Sequence, residues 1–206
     1  MSPTPPFPFR RFLVGSLLAL VLAHVVDGWA SAHLVVPRLA NTDLGRLLRI
    51  QGFLPTWIFV AAALVMTDWP RRATEGTWSA FRRGALLVCS AALSGALAEA
   101  MKILIRRERP GDETGSYVFR DWSDRPWSTA GLGIPSSHVA VAFGALAMLA
   151  CLFPRARPVW YGLAAGCAFS RIAAHAHFLS DVVGAALLGM AIAEALWRRF
   201  PAPVTA

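Results

Sequence analysis

Three short stretches of the chain carry the residue types that move protons and hold anions: "KILIRRERP" at 102–110, "IPSSH" at 134–138 and "SRIAAHAHFLSD" at 170–181. The third holds two histidines one residue apart. If a helix begins near 177, His177 and Asp181 stand at i and i+4 on one face, whereas the same offset from His175 reaches Leu179. An imidazole that acts as a nucleophile needs one nitrogen free and the other held by an acceptor, which fixes the tautomer and stabilises the imidazolium. Leucine cannot do that. The pattern assigns the chemistry to His177, oriented by Asp181, with His175 a neighbour. An aspartate at the start of an apolar block is itself costly unless paired, so each partner needs the other.

The cations point to the substrate. Nineteen arginines accompany a single lysine, Lys102, which hints at a site that wants a compact ammonium rather than a planar fork. Lys102 and Arg109 are two helical turns apart, on one face if the helix persists that far, and Pro110 marks its end. Arg171 supplies a fork suited to two oxygens of one anion. Ser136 offers a hydroxyl, and the backbone N–H groups of 136–138 open a helix, a natural anion site. A phosphoryl group in transfer spreads its charge over three equatorial oxygens and needs clustered donors of this kind. Arg106 and Arg107, by contrast, read as interfacial side chains that snorkel to the membrane surface. Glu99, at i−3, is expected to pair with Lys102. His24 and His33 lie outside the clusters and carry no expectation.

These side chains must be held by elements that the composition makes plain. The chain has 206 residues, 56% of them hydrophobic and 16% charged, with a mean hydropathy of +0.50. Soluble domains carry about a quarter charged residues. The apolar residues form six blocks, near 12–29, 53–69, 84–105, 136–153, 158–174 and 178–197, each close to the roughly 20 residues that cross a bilayer. The expected architecture is all-α: one integral membrane domain over 1–206, a bundle of six transmembrane helices with an outer loop at 106–134. The segment "TDLGRLLRIQGFLP" has apolar residues at helical spacing with Arg46 and Arg49 off that stripe, which predicts a short helix lying on the surface. The proline-rich first eight residues read as disordered. Cys89, Cys151 and Cys167 each sit inside an apolar block without paired spacing, as small core residues do.

Charge placement sets the orientation. The formal net charge is +8, but the arginines stand at block edges and in one loop. That favours lipid headgroups or a phosphate as partners and excludes nucleic acid. Arg10, Arg11, Arg71, Arg72, Arg82, Arg83, Arg155, Arg157, Arg198 and Arg199 fall on one side of a six-span layout, which the positive-inside rule makes cytoplasmic. Ten basic residues on the other side make a tie, broken if several of those bind an anion. Both termini are then cytoplasmic and the three polar clusters meet on the outside of the cell (inner) membrane. "RRFLVGSLLALVLAHVV" followed by "ASA" also has the form of a signal peptide cleaved after Ala32. An uncleaved first span is favoured because it keeps the span count even.

The three clusters resemble the signature motifs of the type 2 phosphatidic acid phosphatase family, which includes the vanadate-dependent haloperoxidases. Lys102, Arg109 and Pro110 match the first motif. Pro135, Ser136 and His138 match the second, with Ser137 where glycine is usual. Ser170, Arg171, His177 and Asp181 match the third without a gap. The resemblance implies a membrane lipid phosphatase that needs no metal or other cofactor. Phosphate would be held by Lys102, Arg109, Ser136, Ser137 and Arg171. His177 would attack to give a phosphohistidine, and His138 would act as general acid and then general base. Candidate substrates are undecaprenyl diphosphate, phosphatidylglycerol phosphate, phosphatidate and lipid A phosphates. The loop aromatics Tyr117, Phe119, Trp122 and Trp127 suit a cap at the membrane interface. Two competing classes are a metallohydrolase with zinc on His138, His175, His177 and Asp181, and a transporter gated by outer polar residues.

Overall fold

The structure, a computed structural model, describes residues 9–111 and 116–204; the first eight residues, expected to be disordered, lie outside them. The described residues form helices and connecting loops, with two isolated β-bridges. The helices are α1 (Phe9–His33), α2 (Asp43–Ile50), α3 (Leu54–Asp68), a single turn α4 (Arg72–Glu75), α5 (Thr77–Ile105), α6 (Ser137–Leu152), α7 (Arg157–Ala173) and α8 (Leu179–Arg199).

Six of these occupy the six apolar blocks, but only α1, α5 and α8 are both long and apolar enough to cross a bilayer by themselves. At 1.5 Å per residue, the 15–17 residues of α3, α6 and α7 reach only about 25 Å. The remaining thickness falls to the turns at their ends. The predicted surface helix is α2, capped by the Thr42 hydroxyl on the Gly45 N–H at 3.0 Å. It meets α3 at a bend of 68°. Leu44, Leu47 and Ile50 stay exposed, as in a helix whose apolar side faces lipid, while Leu48 packs onto Gly166 of α7.

Helix α6 is the centre of the bundle: twelve of its sixteen residues are buried, against α5, α7 and α8. In lipid no hydrophobic force draws helices together, so close backbone approach through small residues must do it. Ser90 Oγ of α5 donates to Gly144 O of α6 at 2.7 Å. A Cβ at Gly144 would lie 2.4 Å from Ser94 Oγ, and one at Gly189 of α8 would lie 2.7 Å from the Gly144 nitrogen. Gly144 and Gly189 therefore set how near α5 and α8 come to α6. This seam fixes the spacing of the three helix ends that carry the polar clusters.

At the opposite end, Arg83 of α5 pairs with Asp68 of α3 at 3.1 Å, both side chains buried, and lies 4.7 Å over the Phe153 ring. The pair clasps α3, α5 and the end of α6. Arg83 is thus a packing residue as well as one of the ten edge arginines. Replacing Gly189 by leucine should force α8 off α6 and cost about 1–3 kcal/mol or more, read as a fall in Tm in detergent. Gly162→Leu on α7, whose Cβ would meet nothing within 4 Å, should leave Tm nearly unchanged.

Candidate active site

Four helix ends and the loop after α5 supply the site. Lys102, on the last turn of α5, is buried. Its ammonium lies 2.7 Å from Glu99 Oε1, the pairing expected from their spacing, and bonds the Ser137 hydroxyl, which itself donates to Glu99. Ser137 thus ties the end of α5 to the first turn of α6. Arg106 then ends α5 in the left-handed region, at φ 59°, with its N–H on Lys102 O at 2.8 Å. The helix therefore does not persist to Arg109, and Lys102 and Arg109 share no helical face. Arg109 arrives on extended chain, held by its N–H on Gly131 O at 3.0 Å.

Arg106 and Arg107 overturn the snorkelling expectation, since both are buried. Arg106 donates to the carbonyls of Arg120 (3.1 Å), Asp121 (2.6 Å), Asp124 (2.6 Å) and Pro126 (3.3 Å), and so organises the loop. A guanidinium with five donors satisfies backbone acceptors that the loop's lack of regular structure leaves open. Arg107 reaches Ser180 Oγ at 2.7 Å and Asp181 Oδ1 at 2.5 Å, stacked against the rings of Tyr117 and Phe178.

Helix α8 begins at Leu179, so His177 precedes it on the turn from α7. Asp181 sits in its first turn. One carboxylate oxygen faces Arg107; the other accepts the Phe178 N–H at 2.9 Å and lies 3.5 Å from His177 Nδ1. The two side chains are therefore adjacent, but His177 is off the helix and its buried Nδ1 makes no hydrogen bond among the described residues. Nε2 of His177 is the nitrogen turned away from the carboxylate. His175 occupies the tip of the turn in the left-handed region, at φ 51°. Burial pushes the His177 pKa below its ordinary value, against the opposing pull of Asp181, and the positive Arg171 and Arg109 lower it further. That direction favours the neutral imidazole, the form in which it can attack.

Asp27, in the last two turns of α1, was invisible to motif spacing. It is buried and accepts the Ser180 N–H at 2.8 Å, the Ser180 hydroxyl, and the Tyr117 hydroxyl at 2.7 Å. Its signal in the sequence was a lone acidic residue within an apolar block. His24, one turn earlier, lies 3.4 Å from Arg107, while His33 stacks on Trp29 away from these residues. Among the loop aromatics Tyr117 is pinned to Asp27, whereas Phe119, Trp122 and Trp127 are exposed.

His138 stands at the head of α6, its backbone pressed against Gly52 in the α2–α3 bend. The positive charges of Arg171, Arg49 and Lys102 reach it. Arg171, on the last turn of α7, is buried. Its Nε and the Ser136 hydroxyl are buried polar atoms without a partner among the described residues. Buried donors are rarely left so. Among the described residues no three His, Cys, Asp or Glu side chains gather as a metal requires. Asp181, a member of the four-residue zinc set, has its oxygens engaged by Arg107 and the Phe178 N–H.

A family model of the PAP2 superfamily matches residues 83–204. The chain belongs to the PAP2 superfamily. The matched residues hold all three motifs and run from the second turn of α5 past α8. The fold is also similar to the crystal structure of the first transmembrane PAP2 type phosphatidylglycerolphosphate phosphatase from Bacillus subtilis, with a TM-score of 0.58 and 18% identity over 90% of this chain and 92% of that one. No curated protein matches the chain significantly. As a PAP2 protein with several membrane-length apolar helices, it is a membrane phosphatase by family.

The Arg107–Asp181 pair is buried on both sides, so removing one member strands a charge. Arg107→Met should cost about 3–5 kcal/mol of stability, measured by denaturation in detergent. Adding Asp181→Asn to Arg107→Met should restore most of that loss. A double variant no more stable than the single one would show that the charge pair is not the cause.

Proposed function

We propose that the protein removes phosphate from a membrane lipid by way of a phosphohistidine on His177, without a metal. The observation that carries this reading is the end of the bundle where Lys102, Arg109 and Arg171 surround two histidines, with Ser136 Oγ and Arg171 Nε buried and unpartnered. The motif arginines and Lys102 draw the phosphoryl oxygens in, and Ser136 adds a hydroxyl. Ser137 acts through Lys102 by holding its ammonium in place. Six spans, both termini in the cytoplasm and a site open to the outside of the cell (inner) membrane complete the proposal. The arginines at the far end support that orientation.

The steps follow from the geometry. Nε2 of His177 attacks phosphorus in line, and Asp181 steadies the positive charge that grows on the ring. The leaving oxygen departs on the opposite side with a proton from His138. Water then attacks the phosphohistidine, losing its proton to His138, and the N–P bond breaks to release inorganic phosphate. In this reading Lys102, Arg109 and Arg171 meet the charge on the equatorial oxygens in both steps and favour each transition state over the ground state. Candidate substrates are the four lipid classes named from the sequence.

Purified protein should release phosphate from at least one of undecaprenyl diphosphate, phosphatidylglycerol phosphate, phosphatidate and lipid A. It should do so undiminished in EDTA and be inhibited by vanadate, which adopts the trigonal bipyramid of the transferring group. Activity lost in EDTA, recovered with zinc and indifferent to vanadate would return the site to the metallohydrolase class.

The two histidines of the third motif should separate cleanly. His177→Ala is expected to abolish turnover and the acid-labile phosphoenzyme, and His175→Ala to keep most of the rate. Asp181→Asn should lose about a hundred-fold or more in kcat. A dead His175→Ala beside an active His177→Ala would reverse the roles.

A further inference from the structure

Motif spacing says nothing of the α2–α3 bend, yet the bend supplies one wall of the site. Arg46, Arg49, Ile50 and Phe53 line an open cleft of about 240 Å³ together with His138. The charge of Arg49 reaches both His138 and Arg171, and Arg49 has no ion-pair partner among the described residues. Arg46 has only an exposed contact with Asp43 at 3.6 Å, a kind worth little. Two guanidiniums therefore stand on the side of His138, where the leaving group departs.

The same bend opens a second space. Thr56, Trp57, Val60 and Leu64 of α3 face Leu146 and Leu149 of α6 across a cavity of about 420 Å³, almost wholly apolar. It begins at Gln51, between Ile50 and Phe53 of the cleft. A lipid tail fits such a groove, and its headgroup would then lie in the cleft beside His138. The phosphoryl group to be transferred sits beyond it, against Arg171 and His177. Between such a tail and the transferred phosphorus lies the cleft, lined by Arg46 and Arg49 beside Ile50, Phe53 and His138.

We infer that the cleft of Arg46 and Arg49 binds the inner phosphate of a lipid diphosphate, which makes that class the preferred substrate; this rests on the phosphatase reading above. A monoester leaves as a lipid alcohol, which gives two arginines nothing to neutralise. A diphosphate leaves as a lipid monophosphate, which still carries negative charge after His138 has protonated it. His177 Nε2 bonds the terminal phosphorus, and the bond from that phosphorus to the bridging oxygen breaks. The electron pair goes to the inner phosphate, whose charge Arg49 and Arg46 meet. His138 protonates the bridging oxygen as it leaves. Water then adds hydroxide to the phosphohistidine and a proton to His138, giving inorganic phosphate and free His177. The arginines act on the leaving group only, so they discriminate between substrates rather than serve the second step.

The test is a matched pair, farnesyl diphosphate and farnesyl monophosphate, with phosphate release measured on the purified full chain in detergent. The wild type should favour the diphosphate in kcat/KM. Arg49→Ala should cut that preference about ten-fold or more, the worth of a charged hydrogen bond, and Arg49→Lys should recover part of it. Arg46→Ala should act in the same direction, more weakly. The ratio does not depend on the fraction of active protein, so a partly misfolded variant cannot imitate the result. A wild type that favours the monophosphate, or an Arg49→Ala with an unchanged ratio, overturns the inference and leaves the phosphatase standing. Release from neither lipid, nor from any of the wider panel, overturns both.

Discussion

The carboxylate of Asp181 is the point on which the rest of the arrangement hangs. It is wholly buried, and a lone anion there would cost several kcal/mol. The Arg107 guanidinium and the Phe178 N–H donate to it, and the His177 ring beside Phe178 lies 3.5 Å away. Arg107 comes from the tail of the first motif and His177 from the third. Bringing the carboxylate into the low-dielectric interior therefore forces two motifs 70 residues apart to close on each other. Asp27 secures the same helix start from the other side through Ser180 and Tyr117, so α1 and the loop are drawn in as well.

Charge held this way would be useless if the helix ends were free to drift. The seam of Ser90, Ser94, Gly144 and Gly189 removes that freedom by bringing backbones to within a Cβ of each other. It lies midway along α6, while the polar residues lie at its head. The division of labour is physical. Small residues give close packing where lipid offers no hydrophobic drive, and ionisable residues gather at one end, where they can face one another instead of lipid. The Asp68–Arg83 pair closes the other end by the same means.

Much of this was legible in the residues. Apolar blocks placed six helices, though α5 begins at Thr77, about two turns before the expected 84, and the single lysine, the PSSH stretch and the His177–Asp181 spacing marked side chains that do come to one end of the bundle. Periodicity sees only partners on the same element, however. Asp27 and Ser180 are 153 residues apart, and Arg107 and Asp181 are 74 apart; no repeat connects them. Arg106 and Arg107 were misread for a related reason. An arginine at a helix end has the composition of a snorkelling residue, and only the loop folding back over it reveals that it is buried. The helix-breaking turn at Arg106 was likewise hidden, because arginine is a good helix former and nothing in "IRRERP" forbids continuing to Arg109.

The cations divide into two kinds, which explains how so many can share one end of a small bundle. Arg106, Arg107 and Arg120 are spent on acceptors of the protein itself: carbonyls of the loop, Asp181 and Glu108. They fix the backbone and leave little positive field. Arg49, Arg109 and Arg171 lack any carboxylate partner among the described residues, so their mutual repulsion is unrelieved in the free protein. An anion arriving there gains the attraction of all three and removes that repulsion at once. Lys102 stands between the two groups, held by Glu99 yet close enough for its charge to reach His138. Its orientation is set before any ligand binds. A site built so is rigid in its framework and repulsive only where an anion would relieve it.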